Sequence, residues 1–326
     1  MFLHIRKINK LILSAFLLLV FTTVCDAQLQ KYSPKVSFAI ETYAFLKGQS
    51  TALEKISRQF PSLKTKVVTV EQDSKISFVR AQRNIEHFLQ EELTVADYKI
   101  LQKRIGCMLE AQIKSPIEKE EYAIDFLNLV SSRSYFIADT LVEKGILSFA
   151  YHDTPHQEIT DGHFINFTTK NHPKSYRAGL KVPIPKSWLA QEAEMPHTIQ
   201  QFTSHYGNGE ARIVIVVYDL SAQQSEMILN ERSITQMIPP ESRLIQTDKI
   251  EIDGIPGIMI EAEQSLGYTD NQMKIRMLQF MFIQNQKLYC LQGSIGPVQA
   301  SNNLDEKIKK YEPLFRLVAS NTEFDN

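Results

Sequence analysis

Apolar positions recur at helical spacing from about residue 35 to 145, then alternate as in strands from 164 to the C-terminus. In the first part Val36, Ala39, Ile40, Tyr43 and Leu46 form one stripe, and Gly48 reads as the stop of that helix. Thr51 and Glu54 form a capping box ahead of Leu53, Ile56 and Phe60, and Pro61 ends that turn. A long segment over 62–92 carries Leu63, Val67, Val70, Ala81, Ile85 and Phe88, with Ser74 and Ser77 midway as a close helix approach or a break. Thr94 with Asp97 starts the next helix, which carries Leu101, Ile105 and Met108. Ser115, Pro116 and Glu118 read as the start of another, with Tyr122, Phe126, Leu129 and Val130 on its stripe and Gly145 closing the block. About five helices joined by short loops predict a bundle.

Strands are expected over 164–168, 179–184, 198–205, 211–220, 243–250, 257–264, 273–284 and 288–293. Asn208-Gly209 marks a hairpin between the third and fourth, and Asp253-Gly254 a further turn. Ile213, Ile215 and Val217 oppose Val214, Val216 and Tyr218, and the segment 273–284 is apolar on both faces as well. A strand greasy on both sides needs two covers, which a helix starting at Ser221 and a helix over 303–319 would supply. That last helix carries Leu304, Ile308, Tyr311, Phe315 and Val318 on one stripe. Asp248 and Lys249 place 243–250 at an edge. The predicted class is α+β: an N-terminal helical bundle over 28–150, a polar linker over 151–163, and over 164–326 a mainly antiparallel sheet with helices on both faces.

The N-terminus changes the cellular setting. Arg6, Lys7 and Lys10 precede an apolar run of 14 residues, Leu11–Val24, and small side chains flank a cleavage point after Ala27. Residues 1–27 therefore read as a secretory signal peptide, and the mature chain as exported, periplasmic or secreted. Lipidation at Cys25 is the alternative, opposed by the bulky Val24 before it. The mature chain keeps 33 Lys+Arg against 36 Asp+Glu, a balance without the basic footprint of a nucleic-acid binder. No later apolar run is long enough to span a bilayer. Its two cysteines, Cys107 and Cys290, sit among apolar neighbours as separate buried thiols do; a single bridge between them is the alternative.

The segment Gly179-Leu-Lys-Val-Pro-Ile-Pro-Lys-Ser-Trp188 ends a short strand in Pro185-x-x-Trp188. With the hairpin, helix, meander and closing helix that follow, the stretch from about 163 onward resembles the PsbP-like sandwich family. That family usually has Gly before the Trp, where this chain has Ser187. The resemblance implies a non-enzymatic fold that binds partners or helps assemblies form, and it transfers no binding residues.

Candidate chemistry is sparse. His-Glu-x-x-His, Gly-x-Ser-x-Gly, P-loop and Cys-x-x-Cys patterns do not occur. His152, His156, Asp161 and His163, with Glu158 and Asp153, are the right ligand types for Zn²⁺ or Cu²⁺, but loop spacing fixes no geometry, so a solvated linker is the expected reading. Met273, Met277 and Met281, with Met259 on the next strand, form an adaptable apolar face for a greasy ligand or partner; core beneath the C-terminal helix is the plainer reading. Trp188, the only tryptophan, is expected to plug the strand end, with a ligand contact as the alternative. The expected function is a non-catalytic envelope protein, without cofactor, that binds a protein partner or assists assembly. A carrier of a lipid or other small apolar molecule is the alternative, and an unrecognised hydrolase ranks last.

Overall fold

The structure, a computed structural model, describes residues 32–136, 139–175, 179–193, 195–221, 229, 241–267 and 272–325, without the side chains of 74–76. The expected signal peptide lies outside the described residues, as does nearly all of the helix expected from Ser221.

Among the described residues five α-helices come first. α1 (Pro34–Gln59) starts at Ser33, whose hydroxyl accepts from the Val36 amide at 3.3 Å. It runs through both Gly48 and the Thr51–Glu54 pair, correcting the stop and restart expected there. One glycine inside a helix costs about 1 kcal/mol. Burying the continuous stripe from Val36 to Ile56 outweighs that cost. α2 (Lys64–Glu92) is likewise unbroken. α3 (Val95–Lys114) is capped by Thr94, which accepts from the Asp97 amide at 3.1 Å. Ser115 closes α3 instead of opening the next helix, its hydroxyl donating to the Ala111 carbonyl at 3.1 Å. Pro116 stands just past that end, where proline commonly follows a helix. α4 (Glu120–Ser134) follows. α5 (Leu141–Ala150) is set by the Thr140–Glu143 capping box and buried from Glu143 onward, so it is the central helix of the bundle. Gly145 sits inside it because Thr42 of α1 packs there: a Cβ at 145 would lie 2.3 Å from the Thr42 hydroxyl.

A short helix α6 (His156–Thr160) then leads into the sheets. β1 (Phe164–Thr168), β2 (Leu180–Pro185) and β10 (Glu323–Phe324) form a small antiparallel sheet with β2 in the middle. The large antiparallel sheet has the order β3-β4-β5-β9-β8-β7-β6. Its strands are β3 (Leu189–Gln191), β4 (Thr198–Thr203), β5 (Ala211–Asp219), β6 (Ser242–Ile252), β7 (Ile255–Leu266), β8 (Met273–Gln284) and β9 (Lys287–Gln299). β6 lies at the edge, as its charges predict.

α7 (Asp305–Ser320) and the small sheet cover one face of the large sheet, burying Ile213, Ile215, Leu278, Phe280, Leu291 and Phe315 among others. Phe315 drops onto the central strand at Gly293, where an added Cβ would come within 2.1 Å of the ring. Arg276, buried on that same side, pairs with Glu261 at 3.0 Å, Glu263 at 3.4 Å and Asp305 of the first turn of α7. On the other face Ile258, Ile260, Met281, Leu288 and Cys290 form a smaller cluster with Leu220 and Leu229 against it. The helices and the sandwich thus have separate hydrophobic cores.

Replacing Phe315 by alanine empties the space above Gly293 and should cost about 3–5 kcal/mol of stability. Urea unfolding followed by far-ultraviolet circular dichroism reads this directly; a loss under 1 kcal/mol would mean that α7 is not seated by this ring.

Candidate functional site

The polar residues of the chain meet where the helices join the sandwich. Between β4 and β5 the chain makes a tight turn, Ser204–Gly207, in which His205, Tyr206 and Gly207 all take positive φ (50°, 51° and 91°). The expected hairpin forms, with Asn208 and Gly209 in its loop, but its left-handed residues are 205–207, and Asn208 has φ −99°. The left-handed conformations push two side chains toward the helices. Tyr206 packs on the helical core, and the His205 ring stands edge-on to Phe149 at 5.4 Å.

His152 comes from the other side. Its Nδ1 lies 3.1 Å from Nε2 of His205, one proton serving the contact, and its ring lies against Phe88 at 5.7 Å. Burial among these rings, with Lys310, Lys35 and His87 facing it, lowers the pKa of His152 to about 2. His205, 4% exposed, is pushed well below its ordinary value by burial, with Lys35, His152 and Lys310 adding to it. Both imidazoles are therefore neutral.

Beneath the pair Glu158 is almost wholly buried. It accepts from the Ser187 amide and the Ser187 hydroxyl, each at 2.7 Å. Burial raises its pKa to about 7, against the pull of the two Ser187 hydrogen bonds and of Lys144. Ser187 stands where the resembled family usually has glycine, and here its hydroxyl satisfies a carboxylate that would otherwise be left short of a donor. Trp188 next to it is 6% exposed and meets Tyr311 of α7 at 6.3 Å, which makes it a plug at the end of β2. Two lysines lace the parts together: Lys144 of α5 donates to the Lys186 carbonyl at 2.7 Å, and Lys186 donates to the Phe136 carbonyl.

These groups line a cleft of about 10 Å³. That is room for about one water molecule and none for a substrate. A larger space, a groove of about 270 Å³, opens at the surface between β1, β2 and the end of α7, bordered by Phe164, Pro183 and Leu317.

The candidate ligands named from sequence scatter. Asp161 accepts from the Tyr151 hydroxyl at 2.8 Å, and His163 lies against Phe136 and Tyr151. His152 is paired with His205, and Nδ1 of His156 is buried without a partner. Among the described residues no group of three His, Cys, Asp or Glu side chains could hold a metal. Nor is 151–163 a solvated strap: Tyr151, Glu158 and Ile159 are buried.

The methionine face divides. Met273, Met277 and Met281 point away from α7, so the face is not the core beneath that helix. Met259, paired with Phe280, belongs to the opposite side. Met281 is packed into the smaller cluster with Leu220 and Leu229, while Met273 and Met277 are half-buried. Cys107 is exposed on α3 and Cys290 buried on β9, both as free thiols, which corrects the expectation that both are buried. His205, the residue at the centre of the seam, was not named from sequence; a histidine just ahead of a Gly-x-Gly turn was the only signal for it.

No protein-family model matches the sequence, and no curated protein does. Solved structures resemble part of the chain at low TM-scores. The PsbP (CyanoP) of the cyanobacterium Synechocystis, at 12% identity and a TM-score of 0.31, covers 44% of this chain and 86% of its own. LpqN, involved in cell envelope biogenesis of Mycobacterium tuberculosis, has 11% identity and a TM-score of 0.31, covering 52% of this chain and 95% of its own. A structure from Bacteroides thetaiotaomicron has 9% identity and a TM-score of 0.28, covering 45% of each chain.

Glu158 and the histidines pull the stability of the seam in opposite directions with pH. Glu158 binds its proton more tightly folded than unfolded, so its contribution is complete below about pH 4.5 and is lost as pH rises through about 7. The histidines bind theirs less tightly folded, so stability falls as pH drops below about 6.5. Glu158 gives up its proton as pH rises through about 7, and Glu158→Gln should flatten the decline of stability between pH 6.5 and 7.5 in urea titrations. An unchanged slope would contradict a carboxyl held protonated at the seam.

Proposed function

We propose that this chain is an exported, non-catalytic binding protein in which a helical domain (28–150) and a PsbP-like sandwich (164–326), joined through 151–163, engage a protein partner in the cell envelope. The observation that carries the reading is the contrast between its two polar regions. The seam holds the shifted carboxyl and imidazoles, the groups chemistry would use, yet the space among them is only about 10 Å³. The surface groove is far larger, about 270 Å³, and is bordered by Phe164, Pro183 and Leu317 with Asn166 and the Lys181–Glu323 pair at 3.6 Å beside them. Beside it β1, an edge strand of the small sheet, leaves Phe164 37% and Ile165 44% exposed. An exposed edge next to an apolar groove is a surface on which an extended peptide can add as a strand. Export rests on the signal segment; no helix among the described residues is long and apolar enough to cross a membrane.

Tagged full-length protein, cross-linked in its native envelope and purified against an unrelated exported control, tests the reading. One protein should be recovered in near-equal amount, and Phe164→Glu should reduce its recovery at least fivefold, on the order of 1 kcal/mol, with folding unchanged. Recovery of a specific lipid without a protein would shift the function to a carrier. Catalytic turnover that is lost on substituting Glu158 would overturn the non-catalytic reading.

A further inference from the structure

We propose that the His152–His205 contact is an acid-sensitive latch, and that protonation of the pair parts the helices from the sandwich while each keeps its own core. The geometry has three parts. The pair stands 3.1 Å apart at the contact, boxed by Phe88 and Phe149. It bridges the two cores, since Phe88 and Phe149 belong to the helical one while the 204–207 turn joins β4 to β5. Nδ1 of His205 is buried without a hydrogen-bond partner, and a second proton on that ring would find no acceptor there.

The surroundings carry charges of both signs. Lys35 faces the pair from α1 and His87 from α2, while Lys307 and Lys310 come from α7. Lys35 and Lys310 are themselves penalised by burial, and Lys310 is brought down to about 8. Facing them are Glu91 and Glu92 of α2, Asp153 ahead of α6, and Glu210 at the end of the turn, which pairs with Lys307. Glu158 and Tyr311 line the floor. The nearest cations already oppose each other, so a proton on either imidazole adds a buried charge where Lys35 and Lys310 repel it.

The sign and slope follow from proton counting. Each imidazole released into water regains its ordinary affinity and favours the open form about tenfold per pH unit below about 6.5. Glu158, if exposed by opening, gives up the proton it holds when closed and opposes opening about tenfold per unit between about 4.5 and 7. Opening should therefore grow about tenfold per pH unit from 6.5 to 4.5 and about a hundredfold per unit below that.

Trp188, the only tryptophan, borders the seam and reports its opening. The experiment follows Trp188 emission, radius of gyration by small-angle scattering, and far-ultraviolet circular dichroism of the full chain from pH 7.5 to 3.5. Compared are the natural sequence and the pair His152→Phe with His205→Asn, asparagine being tolerated at the left-handed position. The expected result is a red shift and an expansion at constant helical signal, with the midpoint moved at least one pH unit lower in the double variant. Should the double variant fail to fold, His152→Phe alone must move the midpoint by at least half a unit. A seam that stays closed to pH 3.5 would overturn the latch. So would an emission shift that coincides with loss of helical signal at the same pH in every variant.

Discussion

The architecture depends on one dry contact: the Ser204–Gly207 turn of the sandwich pressed into the helical core. His205 and Tyr206 are held at positive φ, a conformation that costs an ordinary residue on the order of 1–2 kcal/mol each. What outweighs the cost is the burial it permits, since only this backbone path carries the Tyr206 ring onto the helices and the His205 ring under Phe149. Tyr206 donates its amide to the Ser187 carbonyl at 3.0 Å, which fixes the turn to the end of β2. From there the contact spreads through Ser187 to Glu158 and through Trp188 to Tyr311. The strained turn, the polar floor and the closing helix are one arrangement.

Excluding water from that contact decides its chemistry. A carboxyl, two imidazoles and the Tyr311 phenol, whose pKa burial raises, gather there with room for one water at most. Such shifts are the usual mark of a catalytic centre. Here the space among the groups is only about 10 Å³. β1 has a neighbour on one side only, at an edge of the small sheet.

Much of the fold is legible along the chain because most elements are decided by local chemistry. The Thr94 cap, the Asp253-Gly254 turn and the stripe from Leu304 to Val318 appear where residue type alone puts them. The failures share a cause. Gly48, Thr51 and Ser115 each carry a local signal for a helix end or start that the structure ignores, because a long apolar stripe or a following proline wins. Gly145, taken for a stop, is a gap filled by Thr42 from another helix. β3 and β10 are too short to show any period.

The sequence by itself determined the two textures and the antiparallel meander, because these follow from period and order of elements. It could not determine which face α7 would take. β8 is apolar on both sides, and the choice turns on Gly293, a notch that only the folded sheet presents to Phe315. Nor could it bring His152 to His205, which stand 53 residues apart and meet through a turn of unusual backbone. A contact between distant positions depends on the summed geometry of every element between them, and that sum exists only in the tertiary structure.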